Sequence, residues 1–186
     1  PPGRGPLPVG HVTDRPRLRS LSDLLRDVIQ LAYVTDDLDA GVEWLQSSLG
    51  TSRCHTMHGS SLGGTVVVDG EPAQEWVIDV ALVNAGPTNI ELIRPVSGAV
   101  DLYRRGIRPG APATFHHVGV RVEDFDEATA LVRAGGRDWE QHGATEGAVR
   151  FGYLDLTSEL GHRIEVMELG EGMRRLLAKL EERSNR

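Results

Sequence analysis

Phe115-His116-His117-Val118-Gly119-Val120-Arg121-Val122-Glu123-Asp124-Phe125-Asp126-Glu127-Ala128 is the stretch that decides the fold. Its apolar side chains alternate as far as Val122; Asp124 then stands where a helix N-cap belongs, with Glu127 three residues on, so a strand turns directly into a helix. Much of the stretch has an earlier counterpart in Ile29-Gln30-Leu31-Ala32-Tyr33-Val34-Thr35-Asp36-Asp37-Leu38-Asp39-Ala40. There Gln30 stands for His117, and Asp37-Leu38-Asp39 for Asp124-Phe125-Asp126. A second pair repeats as well: Asn89-Ile90-Glu91-Leu92-Ile93 matches Arg163-Ile164-Glu165-Val166-Met167, each an apolar strand interrupted by one carboxylate. Such self-similarity is the mark of a duplicated supersecondary unit.

Working outward, residues 1–26 read as a flexible N-terminal tail, rich in proline and glycine at first, with one helical turn near Ser22 leading into a strand. Residues 27–95 form the first unit. Its strand over 28–34 places Gln30, Ala32 and Val34 on one face, with Ile29, Leu31 and Tyr33 on the other. A helix follows, capped by Asp36 or Asp37, carrying Leu38, Val42, Leu45 and Leu49 at helical spacing and stopped by Gly50. Short strands are expected over 51–58 and 76–83, a turn-rich loop over 59–64, and an inserted hairpin arm over 65–70. Residues 84–89 have hairpin-loop chemistry before the Glu91 strand.

Residues 96–113 read as a linker holding a short helix near 100–105. The second unit, 114–168, repeats the order: strand 115–122, helix 125–134 with Gly135-Gly136 as its stop, strands 137–141 and 149–156, a turn at 158–161, and the Glu165 strand. Residues 169–186 form an amphipathic helix whose stripe of Met173, Leu176, Leu177 and Leu180 packs on its own domain or on a second subunit. The fold class is therefore α+β, two tandem βαβββ modules forming a curved mixed sheet around a cleft.

Composition narrows the function. The 186 residues are 39% hydrophobic and 25% charged, enough for one compact core and ordinary for a soluble protein. No apolar run is long enough to span a membrane. A net charge of −7 disfavours a nucleic-acid partner, since phosphate binding needs clustered Lys and Arg. The single cysteine, Cys54, cannot form an internal disulfide and reads as a passive strand residue; a cytoplasmic location is expected.

If the first and last strands of each unit lie side by side, Gln30 meets Glu91 and His117 meets Glu165 on one concave face. One imidazole nitrogen, one amide oxygen and two carboxylates suit a divalent ion such as Zn, Ni, Co, Mn or Fe(II). A polar interruption at the same place in two repeated units is not what solvated strand faces would produce. His55, His58, His116, Tyr33, Trp76 and Tyr153 are weaker candidates for the cleft. Arg104, Arg105 and Arg108 in the linker are candidates for clamping an anionic substrate.

The pattern resembles the vicinal oxygen chelate superfamily, which includes glyoxalase I, methylmalonyl-CoA epimerase, extradiol dioxygenases and bleomycin or fosfomycin resistance proteins. The pieces that carry the likeness are QLAYVTDDLDA, HVGVRVEDFDEA, IELIRP and FGYLDLTSELGHRIEVMEL, within residues 27–168. The resemblance implies metal ligands at Gln30, Glu91, His117 and Glu165, the order of one glyoxalase I class. It also implies a homodimer, and Glu165, with Glu91 as the alternative, as the general base. Where glyoxalase I holds glutathione with Arg, Asn and Arg, this chain has Val34, Pro95 and Ala113.

The expected activity is thus a metal-dependent lyase or isomerase/epimerase moving a proton next to a chelated carbonyl, without glutathione. Its substrate would be a small molecule with vicinal oxygens or an acyl carbonyl. The alternatives are an extradiol-type dioxygenase, which the missing second histidine at Gln30 disfavours, and a non-catalytic small-molecule binding or resistance protein.

Overall fold

The computed structural model describes residues 18–60, 65–73 and 75–184. Its elements run α1 (Leu21–Leu24), β1 (Val28–Val34), α2 (Leu38–Leu49), β2 (His55–Ser60), β3 (Thr65–Val68), β4 (Glu71–Ala73), β5 (Trp76–Ala85) and β6 (Thr88–Gly98). The second half runs α3 (Asp101–Arg104), β7 (Thr114–Val122), α4 (Phe125–Ala134), β8 (Gln141–Thr145), β9 (Val149–Leu154), α5 (Thr157–Leu160), β10 (Arg163–Leu169) and α6 (Glu171–Ser184).

The two long strand-to-helix turns form for the reasons their sequences suggest. The Asp37 carboxylate accepts from the Ala40 amide, and that of Asp124 from the Asp126 and Glu127 amides, satisfying first-turn donors that would otherwise lack partners. Gly50 ends α2 in the left-handed region at φ 66°. At Gly41 a Cβ would come within 2.5 Å of Leu92 Cδ2, so the bare glycine lets α2 settle closely on β6.

The described strands form one sheet in the order β2-β5-β6-β1-β7-β10-β9-β8-β3-β4. Within each half the first and last strands are parallel, β1 with β6 and β7 with β10; the halves meet through antiparallel β1 and β7. The inserted β3-β4 hairpin belongs to the first half by sequence, yet pairs with β8 at the far edge. Because β2 lies at the opposite edge and only five Cα steps of about 3.8 Å separate Ser60 from Thr65, β2 and β3 come within about 19 Å of each other at these residues. The sheet therefore curls into a cup, and Trp76 of β5 stacks on Phe151 of β9 across it at 5.6 Å.

Three apolar clusters hold this shape. One fills the concave side, with Val34, Ile93, Tyr103, Phe151 and Leu180. The others lie under α2, with Leu45 and Leu92, and under α4, with Val132 and Val166. Cys54 sits in the α2 cluster, where burial pushes its thiol up, as a passive residue requires. The C-terminal helix α6 packs on its own chain, burying Leu180 and resting the half-buried Met173, Leu176 and Leu177 on the concave cluster.

Several local expectations change. Residues 137–140 are not a strand: the Arg137 amide donates to Val132 O and the Trp139 amide to its neighbour Asp138, so β8 begins only at Gln141. The loop expected over 84–89 is shorter, since Asn84 pairs with Asn89 and Ala85 with Thr88 across a Gly86-Pro87 turn. Gly59 and Ser60, expected in a loop, extend β2; residues 61–64 of that loop lie outside the described residues. Residues 1–17 of the expected tail also lie outside them, while Leu24 is buried with Leu18 and Leu21 packed beside it.

Candidate metal site

The antiparallel β1-β7 seam departs from regular register twice, and each irregularity sits beside a candidate ligand. Val28 pairs with Val120 and Gln30 with Gly119, leaving Ile29 as an extra residue; Ala32 pairs with His117 and Tyr33 with Phe115, leaving His116 extra. Such bulges redirect side chains. Ile29 turns with Gln30 into the cavity rather than to the opposite face expected from strict alternation. His116 and His117 likewise both lie against the Tyr153 ring.

The neighbouring registers bring Glu91 opposite Ala32 on β6 and Glu165 opposite Gly119 on β10. His117 is fully buried, and its Nε2 lies 3.1 Å from Glu165 Oε2 and 3.7 Å from Glu91 Oε2. One ligand atom from each of Glu91, His117 and Glu165 lies within 4.8 Å of the others. Gln30 and Glu165 are buried, at 6% and 7% exposure, and Glu91 is nearly so. All four expected residues are on one chain.

Two hydrogen-bond chains, each ending on a backbone carbonyl, decide which atoms face this cluster. Val83 O can only accept, so the amide nitrogen of Asn89 donates to it and to Asn84 Oδ1. Asn89 Oδ1 then accepts from Gln30 Nε2 at 2.9 Å, leaving Gln30 Oε1 buried with no hydrogen-bond partner among the described residues. On the other side, Leu102 O accepts from His116 Nε2 at 3.1 Å. Burial and the adjacent His117 bring the His116 imidazole down to about 3, so it is neutral and its Nδ1 accepts from His117 Nδ1 at 2.9 Å. With its Nδ1 donating to His116, His117 presents Nε2 to the two glutamates, 3.1 Å from Glu165 Oε2, and this is the nitrogen it would offer a metal ion.

The orphaned amide oxygen, the imidazole nitrogen and the two carboxyl groups can each give a lone pair to a metal ion. Buried without a cation or proton among them they would repel, and N and O donors of this kind fit a borderline or hard divalent ion. Burial first, and the charge of Glu165 second, push the Glu91 carboxyl well above the usual range. Gln30, Glu91, His117 and Glu165 could therefore hold an ion, with Asn89 and His116 orienting two of them. Neither orienting residue stood out by sequence as such: Asn89 read as loop chemistry, and His116 as one weak candidate among several.

The remaining candidates divide. Trp76 and Tyr153 line the cavity next to the cluster, and Tyr103, which sequence did not single out, joins them by donating to the Tyr153 hydroxyl at 3.2 Å. Tyr33 meets Phe115 edge-on at 5.5 Å and packs with the α2 cluster. His55 lies outside the cavity lining, and His58, largely exposed, lies 3.5 Å from Asp79. Arg104 pairs with Asp101 and Arg105 with Glu140, while Arg108 is exposed; none of the three lines the cavity.

No curated protein matches the chain. Solved structures do. A methylmalonyl-CoA epimerase from Mycobacterium tuberculosis aligns at 17% identity over 87% of this chain and 97% of its own, with a TM-score of 0.56. A Streptomyces coelicolor methylmalonyl-CoA epimerase in complex with 2-nitronate-propionyl-CoA aligns at 18% identity, over 76% of this chain and 95% of its own, with a TM-score of 0.51. A hypothetical protein from Bacillus halodurans C-125 aligns at 14% identity, over 78% of this chain and 95% of its own, with a TM-score of 0.52. At these identities the likeness is one of fold. The family profile is more specific, matching residues 29–153, which span both strand-to-helix repeats and three of the four acceptor residues. The chain belongs to the Glyoxalase/Bleomycin resistance protein/Dioxygenase superfamily.

Proposed function

We propose that the protein is a metal-dependent isomerase, epimerase or lyase that moves a proton on the carbon next to a carbonyl of a small molecule. The observation that carries this reading is the convergence of Glu91, His117 and Glu165 within 4.8 Å, with Gln30, whose Oε1 has no hydrogen-bond partner among the described residues, lining the same cavity as the two glutamates. A divalent ion held by these four residues would supply positive charge at the carbonyl oxygen, where negative charge develops in the transition state.

The chain's own residues do the rest. Glu165 takes the proton: the carbon–hydrogen bond breaks, its electron pair moves toward the carbonyl oxygen, and the proton passes to the carboxylate. Glu91, from the equivalent strand of the other half, is the alternative base. With one carboxylate from each half, a proton accepted by one can be returned by the other, the requirement of an epimerase or isomerase. The apolar surroundings exclude water, which strengthens these charge interactions and limits loss of the proton to solvent. The methylmalonyl-CoA epimerases of the same fold support proton transfer next to an acyl carbonyl as the reaction class.

The test is hydrogen exchange in deuterated water. Metal-loaded protein incubated with candidate carbonyl compounds should incorporate deuterium at the adjacent carbon. Glu165→Gln should keep a measurable part of its metal while losing exchange roughly a hundredfold or more. Near-wild-type exchange by that variant, with metal occupancy verified, removes Glu165 from the role. Oxygen uptake with a catechol would instead indicate a dioxygenase, and retention of an unchanged ligand a binding protein.

A further inference from the structure

The carboxylate end of the cluster opens into a cavity of about 100 Å³. Its polar lining is Gln30, Asn89, Glu91 and Glu165 at one end, with Ser60 and the tyrosine hydroxyls elsewhere. The rest is largely apolar, including Ile78, Phe151 and Met167, and Trp76 adds a buried indole N–H without a hydrogen-bond partner among the described residues. Among the described residues no Lys, Arg or Asp lines it. Arginines on or beside the strands that build the cavity are committed elsewhere: Arg94 to Asp79, and both Arg105 and Arg163 to Glu140.

The cavity is also roofed. Met173 and Leu177 of α6 form part of its wall, with Leu180 anchoring the helix in the concave cluster. The Gly170 and Gly172 amides fix the start of this segment by donating to Ala148 O and Gly147 O. An apolar void of about 150 Å³ is known to take a benzene molecule, so a space of this size suits a body of a few carbon atoms up to a small ring. An anionic group placed there would lose its hydration with no cation to meet it among the described residues, against walls that are mostly apolar and offer only a few neutral donors, at Ser60, the tyrosines and Trp76.

We infer that this chamber selects a compact, uncharged, apolar substrate whose two neighbouring oxygens reach the metal while its hydrocarbon body fills the space between the sheet and α6. The inference rests on the metal-dependent reading above and sets the substrate apart from acids and from thioesters with bulky phosphorylated arms. Affinity comes from apolar burial beyond the chelating head, and discrimination from the desolvation cost imposed on a charged tail.

Hydroxamates test it, because one bidentate head can carry different tails. Cobalt-loaded protein is titrated with acetohydroxamate, butanohydroxamate and succinic monohydroxamate, in which a carboxylate replaces the terminal methyl of the butano compound. Cobalt absorption reports ligation of the head, and calorimetry reports affinity. Two added methylenes should tighten binding roughly fifteenfold at full burial. The carboxylate tail should weaken it at least roughly a hundredfold against the butano compound.

Equal affinities for all three, or preference for the carboxylate, would overturn the chamber reading while leaving the metal reading intact. Failure of cobalt to load, or of acetohydroxamate to alter the cobalt spectrum, would sink the metal reading and this inference with it. Leu177→Arg supplies a second readout at a half-buried position on α6: it should narrow the discrimination against the carboxylate tail at least tenfold. An unchanged ratio in a folded variant removes α6 from the selectivity.

Discussion

Replacing Asn89 by leucine should weaken metal binding although Asn89 is not itself proposed as a ligand. Asn89 Oδ1 is the acceptor that holds Gln30 Nε2 at 2.9 Å, and its own amide nitrogen is tied to Val83 O and Asn84 Oδ1. Leucine keeps the branching and heavy-atom count of asparagine, though it is bulkier, and accepts nothing, so Gln30 Nε2 is left buried without a partner. That costs about 1–3 kcal/mol of folding stability, and the Gln30 side chain is then free to present its NH₂, which cannot ligate, toward the cluster. Losing a group that orients a metal ligand costs about 10–100-fold in affinity, or about 1.4–2.7 kcal/mol. The assay is calorimetric titration of zinc or cobalt into wild type and Asn89→Leu, with folding checked by circular dichroism. A folded variant binding within about twofold of wild type would show that Gln30 needs no such tether, or is no ligand.

Other outcomes follow from the same geometry. In Gly119→Ala the new Cβ would come within 2.7 Å of Met167 Cε and 2.9 Å of Gln30 Cβ and Oε1, so thermal denaturation should show a loss of about 1–3 kcal/mol and metal titration a weaker site. Unchanged values would mean that the β1-β7 seam yields easily. In the metal-free protein, the raised Glu91 carboxyl contributes stability that is full below the ordinary carboxylate range and lost as pH rises through its folded value. The melting temperature should fall over that window, and Glu91→Gln should flatten the fall; an identical slope in the variant would assign it elsewhere. Sedimentation should show the homodimer implied by family resemblance, a 20.3 kDa species alone being the result against it.

The sequence repeat made the main architecture legible because it reported three things at once: a period-2 strand, an Asp-capped helix, and a polar residue at one equivalent position. That sufficed for the side-by-side placement of first and last strands within each half, and for Gln30, Glu91, His117 and Glu165 to be expected on one face. Less legible were features set by register or by distant pairing. The bulges at Ile29 and His116 arise from how β1 and β7 fit each other, which neither strand's alternation reveals. The β3-β4 hairpin joins β8 across the cup, a contact between segments with no local signal for each other. Asn89 was hidden by its chemistry, since asparagines beside Gly86-Pro87 look like turn residues until the ladder pairs Asn84 with Asn89 and buries both. The strand expected at 137–141 is strand only from Gln141 onward: residues 137–140 instead pack Trp139 against Phe125 at 5.3 Å, a contact distant in sequence that local β propensity does not report.

The most direct measurement is the metal content of the folded protein. Wild type stripped with a chelator, equilibrated with Co(II) and freed of excess metal should retain one equivalent per chain by elemental analysis. His117→Ala, treated identically, should retain far less. Correctly folded wild type holding far less than one equivalent of Co(II), and likewise of Zn, Ni, Mn and Fe(II), would contradict the claim that Gln30, Glu91, His117 and Glu165 form a metal centre.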